Sequence, residues 1–387
     1  MKTKGIGIVV LGAFLSGCET QKEPKLGEPL AELTPEQLAQ FEQGKKVFQR
    51  VFTPEEGLGP LFNANSCAEC HEQPVLGGVG DEIEVHATRF SINGGCDQLL
   101  QQGGPVIQQH ATPLLQAKGI QKEQIPPGAE VGRRSTPPLF GLGLVDAIPE
   151  TTLLARERSV GSSVGGTHGH ANRTSDGRVG RFGRKAAIST LFEFNAGAFL
   201  QEIGVTSPIN PVENTINGAP LPDGTDPASD PEIQREDIEK VTAFLKFLAP
   251  PPQQTYTNYL DRMQARRGEY LFAQLGCAEC HLPKMQTGPS AIKALDRKYV
   301  SLYSDLLLHD MGSNSVDICF QQAAPSEFRT EMLMGLRFRE KFMHDGSAGT
   351  VREAIERHAG EAAKSRDQFR SLSDYDLAAV LKFLQKL

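Results

Sequence analysis

Cys67-Ala68-Glu69-Cys70-His71 and Cys277-Ala278-Glu279-Cys280-His281 are one pentapeptide met twice. Cys-x-x-Cys-His is the attachment pattern of c-type haem: two thiols add to the porphyrin vinyl groups, and the adjacent histidine ligates the iron from the proximal side. The chain holds 7 Cys and 9 His in 387 residues. At that composition one chance copy is expected in roughly 3 of a thousand chains, and two copies far more rarely. A zinc site would need a second ligand pair nearby, which neither half supplies cleanly. A redox dithiol would not need the histidine. The chain therefore reads as carrying two covalently bound haem c groups. Cys67, Cys70, Cys277 and Cys280 are the attachment points, and His71 and His281 the iron ligands.

Working outward, the text around the two motifs repeats. Upstream of the first, Gly44 precedes Phe48 by four residues; upstream of the second, Gly268 precedes Phe272. Both segments read as amphipathic helices. Thr34-Pro35 gives a start to the first, an N-cap with Pro at the first helical position. Further on, Ile238–Leu248 resembles Leu377–Leu384, each with apolar residues at i, i+3, i+4 and i+7. Asp230-Pro231 and Ser373-Asp374 give plausible starts to these closing helices. Helix, haem motif, loops, helix is the layout of a cytochrome c domain, with Gly44 and Gly268 placed where two helices can cross closely. The expected fold is mainly α, with two cytochrome c-like domains at 34–249 and 261–387. The Pro-rich 250–260 links them. The first domain is enlarged by loop-rich insertions at 77–132, 161–184 and 206–231, and irregular stretches this long are usually functional.

The start of the chain reads as an export signal. Lys2 and Lys4 precede a short apolar run that is too short to span a bilayer. Leu15-Ser16-Gly17-Cys18 looks like a bacterial lipobox, so 1–18 reads as a lipoprotein signal peptide with Cys18 as the lipidated residue. Residues 19–33, with Pro24 and Pro29, read as a flexible tether. Acyl chains anchor without a membrane span. This places the protein in the bacterial periplasm, where c-type haem is attached. Glu19, in place of the Asp that retains lipoproteins at the inner membrane, points to the outer one. A net charge of −7 gives no basic face for nucleic acid.

Longer phrases narrow the reading. They are Thr136-Pro137-Pro138-Leu139-Phe140-Gly141-Leu142-Gly143, Gly180-Arg181-Phe182-Gly183-Arg184-Lys185, Leu308-His309-Asp310-Met311-Gly312, Met343-His344-Asp345-Gly346 and His358-Ala359-Gly360-Glu361. Together with the two haem motifs they resemble the bacterial di-haem oxidoreductase family, whose members are labelled di-haem peroxidases or thiol oxidoreductases. More distantly, they are similar to the di-haem cytochrome c peroxidases. The resemblance covers nearly all of the chain beyond the export signal.

The resemblance implies a distal ligand for the second haem at the offset of His358 from His344, with Met311 as the rival. His309 and His344 would then serve as hydrogen-bonding neighbours. For the first haem no methionine lies between 67 and 250. His86, His168, His170 or an open, water-bound iron remain alternatives. The resemblance also implies a distal carboxylic acid for O–O cleavage, with Glu202, beside Gln201, as the candidate. Relatives often carry a Trp between the haems; this chain has Arg184 at that phrase and no Trp at all. Relatives also hold calcium between domains, but no ligand cluster in this sequence argues for it. Cys96 and Cys319 are open between a disulfide and two separate thiols. The resemblance implies a peroxidase-like oxidoreductase that takes hydrogen peroxide as oxidant. Electrons would come from a small cytochrome or a quinol-linked chain, enter at the C-terminal haem and pass to the N-terminal one. A non-catalytic electron conduit and a long-range oxidant of a protein partner are the competing functions.

Overall fold

The computed structural model describes residues 23–93, 95–157, 167–313 and 315–387. The lipobox with Cys18 lies outside them. Helix α1 spans Pro35–Phe48. Thr34 accepts from the Gln37 N–H while the Gln37 side chain accepts from the Thr34 N–H, a reciprocal capping box with Pro35 at the first position. Helices α2 (Leu191–Ile203), α3 (Arg235–Phe247), α4 (Tyr259–Gln274), α5 (Val351–Glu356) and α6 (Asp374–Leu384) follow. Ser373 caps α6 through the Asp376 N–H. Helix α3 starts behind Gln234 rather than at Asp230-Pro231; the Asp230 carboxylate is taken instead by the Thr206 hydroxyl at 2.8 Å.

The sequence repeat has the same physical content in both halves. Helix α1 packs on α3 and α4 on α6. A Cβ on Gly44 would overlap the Lys240 carbonyl oxygen, and one on Gly268 would overlap that of Ala379. No side chain fits at either crossing. The close approach lets Phe48 lie 6.2 Å from the His71 ring and 5.1 Å from Phe244. Phe272 lies 6.4 Å from His281 and 5.4 Å from Phe383 in the same way. In each half the two helices thus meet through a phenylalanine that touches the motif histidine.

Two expectations are corrected. The described residues are 32% helical and 14% strand, so long irregular segments and a sheet share the structure with the helices. Part of 77–132, read as loop-rich, folds into that sheet. Strand β1 (Ile83–Ser91) pairs antiparallel with β2 (Gly95–Asp97), β3 (Val106–Ile107) and β4 (Glu130–Ser135), in registers such as Arg89↔Asp97, Val85↔Ile107 and His86↔Gly132. The second correction concerns the tether, which is docked from Glu28 onward. Leu30 donates to Phe247 O and Ala249 to Glu28 O. The Glu32 carboxylate bonds Lys293 and Lys298, which hold its pKa down at about 2.

The larger core runs across both halves. Phe41, Phe199 and Phe244 share it with Leu302, Leu306 and Leu307. A smaller core around Phe272, Phe369 and Phe383 lies between α4 and α6. Cys96 and Cys319 are joined by a disulfide, which settles the alternative left open by the sequence. It links the β1–β2 hairpin to the C-terminal half. The Arg134–Asp317 ion pair at 2.7 Å lies close by in sequence, and the Asp317 side chain is fully buried. Strands β5 (Leu308–Asp310) and β6 (Glu327–Arg329) form a short ladder in that half. No helix among the described residues is long and apolar enough to cross a membrane.

Candidate haem centres

At the second motif Cys277, Cys280 and His281 line a cavity walled by Phe272, Leu336, Phe342 and Ile355. His358 lines it too, two residues beyond the end of α5, with its ring centroid 6.4 Å from that of His281. Two imidazole nitrogens each about 2 Å from one metal, with ring centres roughly 1 Å further back, give a separation of about 6 Å. Both rings are turned for this. His281 Nδ1 bonds Tyr303 O at 3.0 Å and His358 Nδ1 bonds Ala354 O at 2.8 Å, so each Nε2 is left to ligate. Burial, then His358, pulls the His281 pKa down to about 4, and burial lowers that of His358. Both are therefore neutral, as iron ligands must be. Thiol chemistry points the same way. Burial pushes Cys67 and Cys277 up to about 12, the reverse of a reactive dithiol. These residues fit a covalently attached haem whose iron His281 and His358 would ligate. Met311 lines the same cavity.

His309 bonds Asp305 through Nε2 and Glu361 through Nδ1, both at 2.9 Å. Burial opposes its charge, but Asp305 and Glu361 raise its pKa. It is a cationic clamp rather than a ligand. His344 stacks on Phe328 at 4.6 Å. His168 and His170, weighed as partners of the first iron, stand at the second centre instead. The His168 N–H donates to Glu361, and His170 pairs with Leu308 of β5.

At the first motif His71 is again turned by its backbone, Nδ1 to Gly78 O at 3.0 Å. Two carboxylates act on this motif. Glu84 and Glu202 both act electrostatically on Cys70, and Glu84 acts on His71. Glu202 is half-buried near the end of α2. Its Oε2 accepts from Asn63 Nδ2 at 2.9 Å, and its carbonyl from the N–H groups of Asn63 and Ala64. Burial and then the Glu84 charge push its pKa well above the carboxylate range. Burial also opposes the charge of Glu84, but His86 Nε2, 3.0 Å away, holds it ionised. Two carboxyls with pKa values driven apart can divide the work of proton donor and charged partner between them. His86, a candidate ligand by position, spends its Nε2 on Glu84. Asn63 and Glu84 were missed by the sequence reading; Asn63 lies only four residues before Cys67.

Two further groups emerge from the fold. Glu213, Asp226, Asp230 and Glu232 bring one ligand atom each within 4.8 Å of one another, a carboxylate cluster not legible in the sequence. It lies within the first half, not between halves. Burial, then Glu232, Asp226 and Asp230, push Glu213 up to about 9. Arg184, Arg329 and Arg339 converge on Glu331 in the second cavity, at 2.9, 3.1 and 2.5 Å.

The family described as "Di-haem oxidoreductase, putative peroxidase" matches residues 115–387. No curated protein matches the chain. Among solved structures, the diheme peroxidase BthA from Burkholderia thailandensis is 17% identical over 94% of this chain and 87% of that one, with a TM-score of 0.41. Hydrazine synthase from Kuenenia stuttgartiensis is 14% identical over 100% of each chain, with a TM-score of 0.39. On the family match, which spans the larger part of its length and includes the second motif, the chain belongs to the di-haem oxidoreductase family.

Proposed function

We propose that this is an exported, lipid-anchored di-haem peroxidase built from two cytochrome c-like units. One haem c is attached at Cys67 and Cys70, the other at Cys277 and Cys280. When bound, the haem irons supply electron transfer and, at the first centre, cleavage of the peroxide O–O bond. The second centre relays electrons: His281 and His358 would hold its iron, between the apolar side chains of Phe272, Leu336, Phe342 and Ile355. The first centre is the reaction site. Reduction of hydrogen peroxide consumes two electrons and two protons and yields two waters. Glu202 donates a proton to the departing oxygen and is reprotonated from solvent. Asn63 fixes the carboxyl, while Glu84, kept charged by His86, holds the Glu202 proton in place until it is needed. The electrons come from a small cytochrome or a quinol-linked chain.

The observation that carries this reading is the asymmetry of the two motifs: the His358 ring lies 6.4 Å from that of His281, whereas two carboxyls, Glu84 and Glu202, act on the first motif at Cys70. Electron paramagnetic resonance of the oxidised and half-reduced protein, with peroxide turnover measured on the same samples, tests it. One low-spin centre and one peroxide-accessible centre with turnover are expected. Two low-spin centres without turnover would leave the electron-conduit function instead.

A further inference from the structure

The second cavity has one charged wall. Arg184, Arg329 and Arg339 all reach Glu331, and all four line the same cavity as His281 and His358. Their side chains are buried, those of Arg184 and Arg339 to within 10% exposure. Burial works against the Glu331 charge, but Arg184, Arg339 and Arg329 hold its carboxyl well below the usual range. Three guanidinium groups therefore surround one carboxylate, and two positive charges are left over. Other acids of this half are engaged: Asp305 and Glu361 by His309, Asp317 by Arg134. Arg339 Nε is buried and finds no acceptor. Buried unpaired charge and an orphaned donor are each costly, so such an arrangement needs an anionic complement.

A haem carries two propionate carboxylates, both ionised at neutral pH. Two carboxylates match the excess of two positive charges, and guanidinium forks bind carboxylates bidentately. We propose that Arg184, Arg329 and Arg339 hold the propionates of the haem attached at Cys277 and Cys280, with Glu331 keeping the three guanidinium groups aimed into the cavity. This rests on the haem reading above. Arg184 has a second bond, Nη2 to Ser135 O at 2.8 Å. Ser135 ends β4 two residues before Pro137, whose backbone meets His71. The propionate site is thereby tied to the segment beside the first centre.

The test uses the full haem-loaded chain, reading the reduction potential of the second haem and the resonance Raman propionate bending band. Arg339→Gln removes a positive charge and is expected to lower the potential and shift the band. Glu331→Gln removes a negative charge and is expected to raise the potential. Arg339→Lys restores the potential without restoring the band. Arg366 also lines the cavity but bonds Asp367 and the His358 carbonyl, so Arg366→Gln leaves the band in place. A merely structural network would neither move the propionate band nor give shifts of opposite sign. An unchanged band in both Arg339→Gln and Arg184→Gln, at normal haem content, overturns this inference alone. Absence of covalent haem from the wild-type C-terminal motif by mass spectrometry overturns it together with the proposed function.

Discussion

Opening the Cys96–Cys319 bond should destabilise the protein without unfolding it. The two residues are 223 apart in sequence. In the chain-entropy account a loop of that length is worth about 5 kcal/mol at 25 °C. At about 2.1 cal/mol/K of unfolding entropy per residue, a chain this long loses roughly 6 °C of melting temperature for it. The native contacts survive: the Cys319 N–H still bonds the Thr88 hydroxyl at 3.2 Å, and Arg134 still bonds Asp317. Cys96–Cys319 is the one disulfide among the described residues, and so the one bond there that a mild reductant opens. Thermal unfolding is followed by circular dichroism with and without a phosphine reductant, in ferrous protein in both arms so that haem oxidation state does not differ. The Cys96→Ser/Cys319→Ser double variant should melt where reduced wild type melts and ignore the reductant. A shift below about 1 °C, or a double variant still sensitive to reductant, would refute the reasoning.

Three other predictions follow from the sites. His358→Ala should convert the second haem from low to high spin in the oxidised spectrum; an unchanged spectrum would transfer the ligand role to Met311. Glu202→Gln should lower peroxide turnover by about 10²–10⁴-fold at unchanged haem content, and equal turnover would remove Glu202 from the proton path. Glu213 titrates at an ordinary 4.5 when unfolded and at about 9 when folded. The stability it contributes is full below the first value and is lost as pH rises through the second. Calorimetry in metal-free buffer should show a decline over that window that Glu213→Gln flattens; an identical slope in the variant would place the loss elsewhere.

What was legible in the sequence was local. The haem motifs, the Thr34 and Ser373 caps and the paired Gly-to-Phe spacings are short-range signals, and each helix they imply is present. The sheet was not legible, because β1 finds β4 only after a long excursion. Val85, His86, Ala87 and Thr88 are also buried consecutively, which erases the alternation that marks a half-exposed strand. His86 and Glu84 share one face of β1, two residues apart, and so the base that looked like a ligand became the partner of an acid. His168 and His170 belong to the first half by sequence and to the second centre by fold, through a bridge to Leu308 that no spacing announces. The Arg184–Arg329–Arg339 group is drawn from segments more than a hundred residues apart, with one member in a phrase that stood out and two in none.

The glycine crossings have a consequence for how such a molecule could acquire new parts. Each haem motif is clasped by a helix pair whose contact is complete in itself, through Gly44 and Phe48 or Gly268 and Phe272. What lies between the motif and its closing helix is thermodynamically almost free to vary. The stretch from His71 to Arg235 is nearly twice that from His281 to Asp374. Closing the longer one costs only about 0.5 kcal/mol more in chain entropy. A sheet, a carboxylate cluster and a candidate proton donor have all been lodged in that interval. The clasp behaves as a socket: it fixes the cofactor and leaves the intervening chain open to invention.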